Sequence, residues 1–185
     1  MKKNNREDWI NHGYKMVSMD GFNNLSIQAL SRSLGKNKSS FYYYYGDMAI
    51  YEEALFKHHL LATQQFAHAV SACANFNPDI LNLMLELKDD FFFHKQLRIR
   101  RDQPAARACF EQAYDIFQSA VLEKWVDFLG LNHRKMLASS FLNLASENFL
   151  LRITYDTYSF QWLENYLSEY SDMMKRINDS SSADK

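Results

Sequence analysis

The sequence predicts an all-α protein: an N-terminal three-helix domain built around a helix-turn-helix, followed by a larger helical C-terminal domain. Three observations carry that expectation. Apolar residues recur near a 3.6-residue period along almost the whole chain. Two prolines and five glycines in 185 residues are too few for the turns of a β-sandwich or barrel. Aromatic residues make up 15%, so the helices have large side chains to bury. A chain of this length can close a core without metals or disulfide staples.

The first helix is marked by Trp9, Ile10, Gly13, Tyr14, Met16 and Val17, and Gly21 stops it. Ser26 is placed to cap a short amphipathic helix carrying Ile27, Leu30 and Leu34, ended by Gly35. Asn37 caps a second short helix through Phe41 and Tyr42, closed by Gly46. Of the four tyrosine-stretch positions Tyr42–Tyr45, two are expected in the core and two outside, because four consecutive residues circle a whole turn. Asp47 caps a long helix with Ile50, Tyr51, Ala54, Leu55, His58 and Leu61, running to about Val70. Residues 79–94 are apolar nearly all round, which predicts one buried helix. A basic connection with Lys95, Arg98, Arg100 and Arg101 follows, and Pro104 suits the first turn of the next helix, which Gly130 terminates. Two further periodic stretches cover 133–155 and 160–177. The expected division is therefore 1–48, 49–177 and a polar, disordered tail over 178–185.

The net charge of −1 hides an asymmetry. Residues 1–48 hold seven basic and four acidic groups, against 14 and 18 in the remainder. A basic head on an acidic body suits a polyanionic partner for the head alone. Cys73 and Cys109 are far apart, without metal-ligand spacing, and read as reduced thiols of a cytoplasmic protein. The N-terminus has no apolar signal region, and no apolar run of membrane-spanning length occurs.

The stretch from Gly21 to Tyr51 carries the functional information. Two short helices flank Gly35, and glycine permits the left-handed backbone that a tight interhelical turn needs. The second helix opens with Asn37, Lys38, Ser39 and Ser40, short or flexible polar side chains of the kind that reach base edges in a major groove. Lysine donates to a guanine edge and asparagine pairs with adenine. The amides beside Ser26 suit a phosphate, and Lys2, Lys3 and Arg6 suit an arm on the sugar-phosphate backbone.

The segment GFNNLSIQALSRSLGKNKSSFYYYYGDMAIYEEAL resembles the N-terminal motif of the TetR/AcrR transcriptional regulators. Gly21-Phe22, the cap Ser26, the aliphatics Ile27 and Leu30, the turn Gly35, Phe41-Tyr42, Tyr45 and Asp47 match its spacing. The likeness spans Trp9 to about Leu55, and beyond it only length and helical pattern agree. It implies a homodimeric DNA-binding regulator, a repressor in most cases, responsive to a small apolar or amphipathic effector. The residues it assigns to the duplex are Lys3, Arg6, Ser26, Gln28, Lys36, Asn37, Lys38, Ser39, Ser40, Tyr42 and Tyr43. Three positions depart from the pattern. Ser31 stands where alanine is usual, Lys36 where a small aliphatic is usual, and Met48 where a DNA-contacting lysine is common. Lys36 would then turn outward to phosphate, or the helix pair packs differently.

By the same resemblance the last two helices pair with those of a second copy. The candidate interface residues are Leu137, Phe141, Leu144, Phe149, Leu163, Tyr166, Leu167, Tyr170 and Met174, all of which could equally face the chain's own core. Effector candidates are Met84, Phe91, His94, Tyr114, Phe117, Trp125, Asn143, Glu147 and Tyr155, apolar walls with a few polar groups. Ordinary core packing competes at each of these. No catalytic motif, metal cluster or cofactor loop is present in the sequence. His58 and His59 diverge on their helix, and the Glu52-Glu53 and Asp89-Asp90 pairs read as solvated. The alternative reading is a helical small-molecule-binding protein that does not touch DNA.

Overall fold

The computed structural model describes residues 5–183, with side chains over 6–177. Among the described residues there is no strand. The helices are α1 (Asn5–Asp20), α2 (Ile27–Leu34), α3 (Lys38–Tyr45), α4 (Met48–Ser71), α5 (Leu81–Glu86), α6 (Lys88–Ile99), α7 (Pro104–Leu129), α8 (Lys135–Arg152) and α9 (Phe160–Ala183). A 3₁₀ turn over Phe22–Asn24 precedes α2, and a π-type turn over Phe76–Ile80 precedes α5.

Capping residues set the helix starts as the sequence reads. Ser26 Oγ accepts from Ala29 N at 3.1 Å, Asn37 Oδ1 from Ser39 N at 3.0 Å and Asp47 Oδ1 from Ile50 N at 2.9 Å. Gly35 ends α2 in the left-handed region, with φ 62° and ψ 28°. Two boundaries differ from expectation. The helix expected over 79–94 is broken at Leu87, and α6 restarts with Lys88, Asp89 and Asp90. The two carboxylates favour a new helix start, because they face the positive end of its dipole. The first half of the basic stretch expected as a connection, Lys95 and Arg98, lies inside α6, because Phe93 and Leu97, both fully buried, keep its apolar face running. The tail expected to be disordered from Asn178 continues α9 as far as Ala183. Its Asp-Ser-Ser-Ser run holds no proline or glycine to stop the helix.

The chain forms two compact units. One holds the chain through Gln65 together with Lys88–Asp115, and the other holds Phe66–Leu87 with the chain from Ile116 onward. They are drawn differently from the expected division at residue 48.

In the first unit, α1 is the central element. Trp9 lies edge-on to Phe41 of α3 (5.5 Å), and Tyr51 of α4 donates its hydroxyl to the Trp9 carbonyl at 2.6 Å. Tyr45 packs on both Phe41 and Tyr51. Further along α1, Tyr14 stacks on Phe93 of α6 at 4.2 Å, and Ser18 donates to the Asp89 carbonyl at 2.8 Å. Cys109 of α7 is buried with its thiol against the Phe56 carbonyl, and burial pushes that thiol up to about 12.

In the second unit, aromatic side chains with one polar end close the core. Trp125 donates to the Ala138 carbonyl at 3.0 Å, Tyr166 to the Ala145 carbonyl at 2.6 Å and Tyr158 to the Met84 carbonyl at 3.1 Å. Trp162 stacks on Tyr166 at 5.3 Å, and Arg152 lies over the same tyrosine ring.

Candidate nucleic-acid interface

Helix α3 is sharply two-sided. Phe41 and Tyr45 are 0% and 2% exposed and face α1 and α4, whereas Tyr42 and Tyr43 are 52% and 83% exposed. Lys38 and Ser39, one turn earlier, are exposed on the same side as the two outward tyrosines. Tyr44 lies between the two faces, half-buried. The inward face holds the helix by apolar contact, and the outward face offers an ammonium, a hydroxyl and two phenols to a partner.

The other residues assigned to the duplex divide into free and engaged groups. Gln28, Ser26 and Asn37 are exposed, and the last two also act as helix caps. Arg6 is exposed, with its guanidinium 5.8 Å from the Tyr45 ring centre, and its carbonyl accepts from the Tyr45 hydroxyl at 2.9 Å. Burial raises the Tyr45 hydroxyl, and the neighbouring Arg6 pulls it back down. Lys36, expected either to turn outward or to mark a changed packing of the helix pair, has its ammonium 2.6 Å from the Asp8 carboxylate of α1. Ser40 is half-buried, with its hydroxyl 3.5 Å from the Trp9 indole nitrogen, because its position on α3 turns toward α1. The expected contact of Lys3 lies outside the described residues.

No family model, curated protein or solved structure matches this chain.

The interface and effector candidates are also placed. Phe149, Leu163, Tyr166, Leu167, Tyr170 and Met174 are buried by the chain itself, so they build its core rather than present a surface. Leu137 and Phe141 are half-buried and Leu144 is 64% exposed. Among the effector candidates, Phe91, His94 and Tyr114 belong to the first unit. Met84, Phe117, Trp125, Asn143, Glu147 and Tyr155 belong to the second, so neither unit holds the full set. Met84 and Trp125 are buried core, Phe117 stacks on Phe66, and Asn143 is exposed and accepts from Gln118. Glu147 and Tyr155 are half-buried.

Two acidic pairs read as solvated are partly engaged. Glu52 pairs with Arg100 at 3.3 Å, which also takes that arginine out of the expected free connection. Asp90 accepts from the Tyr14 hydroxyl at 2.8 Å. Tyr14 and Asp90, with His59 and His94, form a polar cluster that sequence reasoning missed. The signal was two histidines, a tyrosine and an aspartate spread over three helices, with Asp90 and His94 one turn apart on α6. Among the described residues no group of three or more His, Cys, Asp or Glu is disposed to hold a metal ion. No described helix is long and apolar enough to cross a membrane.

Proposed function

We propose that the chain is a DNA-binding transcriptional regulator that reads duplex DNA with the outward face of α3 and acts as a homodimer under control of a small-molecule effector. The observation that carries this reading is the sidedness of α3. A lysine at the start of a short helix and two large phenols one turn further on stand in solvent, while Phe41 and Tyr45 on the opposite face are packed. Exposed aromatics clustered with a cation are costly to leave facing water and suit a partner surface. Short polar side chains at a helix N-terminus fit a major groove, with the phenols beside them on phosphate and sugar. The left-handed turn at Gly35 and the caps at Ser26 and Asn37 support this reading, because such a motif needs a tight turn between two short helices. A dimer would set two such helices about 34–36 Å apart, one turn of DNA. An effector preferring one arrangement of the body would alter that spacing through its differential affinity.

Selection of binders from a random duplex library tests the reading. The expected outcome is an enriched, palindromic sequence whose binding weakens steeply with salt. Lys38→Ala is expected to reduce affinity several-fold and, where Lys38 meets phosphate, to flatten the salt dependence by about one ion. Tyr42→Phe is expected to weaken binding without unfolding the chain, since its ring is half in solvent. Equal, weak binding to every sequence would overturn the proposal.

A further inference from the structure

Four polar side chains from three helices form one hydrogen-bonded chain inside the first unit. The Tyr14 hydroxyl of α1 donates to Asp90 Oδ1 of α6 at 2.8 Å and lies 2.7 Å from His59 Nδ1 of α4. His59 Nε2 lies 3.2 Å from His94 Nδ1 of α6. Tyr14 has one proton and each neutral imidazole has one N–H, so the direction of every bond is fixed. Tyr14 gives its proton to the carboxylate and its oxygen accepts from His59 Nδ1–H. His59 Nε2 is then bare and accepts from His94 Nδ1–H.

Aromatic rings flank the chain, whose Asp90 and His94 ends are half-buried while His59 and Tyr14 are buried. His94 stacks on Phe110 at 4.4 Å, His59 tilts over Phe93 at 5.0 Å, and Phe93 in turn stacks on Tyr14. The titratable groups facing the chain are His58 of α4, edge-on to Tyr14 at 4.8 Å, Asp89 of α6 and Cys109 of α7. The Asp90 carboxylate is already bonded to Tyr14. Burial holds both imidazoles neutral: it pushes His94 down to about 3 and His59 well below the ordinary histidine range, with His94 and His58 adding to the effect on His59. A proton added to His59 Nε2 would face the His94 N–H donor head-on and break the chain.

We propose that the Asp90–Tyr14–His59–His94 chain is an acid-released latch that ties α1 to α4 and α6 while both imidazoles are neutral. The proposal does not rest on the duplex reading. The sign follows from the direction of the shifts. Both histidines bind protons more weakly folded than unfolded, so opening takes up protons below about pH 6.5, the ordinary histidine value. The latch is fully closed above that pH and loosens as pH falls. Asp90 works the other way, since burial raises its carboxyl, so the effect fades toward the carboxylate range.

Hydrogen exchange of α1 amides between pH 7.5 and 5, corrected for intrinsic exchange, reads the opening constant. In the wild-type chain it is expected to rise by up to about a thousandfold per pH unit well below pH 6.5, about tenfold each for His59, His94 and His58, which burial also lowers. In His94→Asn, which keeps an N–H donor near the place of Nδ1 but takes no proton, the rise is expected to be about tenfold per unit shallower than in the wild-type chain. Equal slopes in the two proteins, or no pH dependence, would overturn the proposal. Imidazole ¹⁵N shifts of the wild-type chain give a second readout that needs no variant. Neutral Nδ1–H rings for both histidines at pH 6 support the latch, and titration of either in the folded protein near pH 6.5 refutes it.

Discussion

Gly13 is set by a contact that periodicity alone does not reveal. A Cβ built on it would overlap the Tyr51 hydroxyl, the same hydroxyl that donates to the Trp9 carbonyl. Tyr51 is fully buried, so its ring has nowhere to go. Gly13→Ala is expected to cost at least about 1 kcal/mol net, overpacking outweighing the ~1 kcal/mol that alanine gains in helix propensity. Urea denaturation checks it. Ser31 presents the opposite case. It is buried in α2, and its hydroxyl finds no hydrogen-bond partner among the described residues. Ser31→Ala removes an unsatisfied group and is expected to stabilise the chain by about 1 kcal/mol, seen as a rise in melting temperature of a few degrees. The resemblance to a pattern with alanine at this position pointed to the residue, and burial supplies the physical reason.

At the scale of helices, most of the architecture was legible. Gly21, Gly35, Gly46 and Gly130 end helices where the sequence places them, and the caps at Ser26, Asn37 and Asp47 form the expected bonds. The division of the tyrosine stretch was legible too, because a helix must turn adjacent residues to different faces. The break at Leu87 was not, since no proline or glycine marks it and Lys88, Asp89 and Asp90 read as one polar turn within a longer apolar helix. Partner assignment on α8 and α9 is less legible for a related reason: an apolar stripe does not say which neighbour covers it. Burial answers the question for α9, whose stripe is core, and leaves α8 open. On α8, Leu137, Phe141, Leu144 and Leu151 lie at positions of a helix seam, four, three and seven residues apart with Asn148 between the last two, which are 64% and 62% exposed. For the proposed homodimer, Leu144→Glu is expected to shift the species in sedimentation toward the monomer, while melting of the monomer changes little because the side chain faces water. Unchanged dimer sedimentation would remove α8 from the interface.

At the scale of the whole molecule, fold class was more legible than site. Helical period and scarce turn residues suffice for the class, because both are properties of one segment at a time. The polar chain of Tyr14, His59, Asp90 and His94 depends on residues up to 80 positions apart meeting in the interior, which no local pattern encodes. The ion pair between Lys36 and Asp8 escaped notice for the same reason. The first compact unit is discontinuous: α1 lies along α6, yet Phe66–Leu87, which belong to the second unit, come between them in the chain. A ribosome delivers residues in order, so the amino-terminal helices emerge long before the segment they settle against. The nascent chain therefore has to wait for that later segment, and cutting the gene after the tyrosine stretch would leave α1 without the surface that normally covers it.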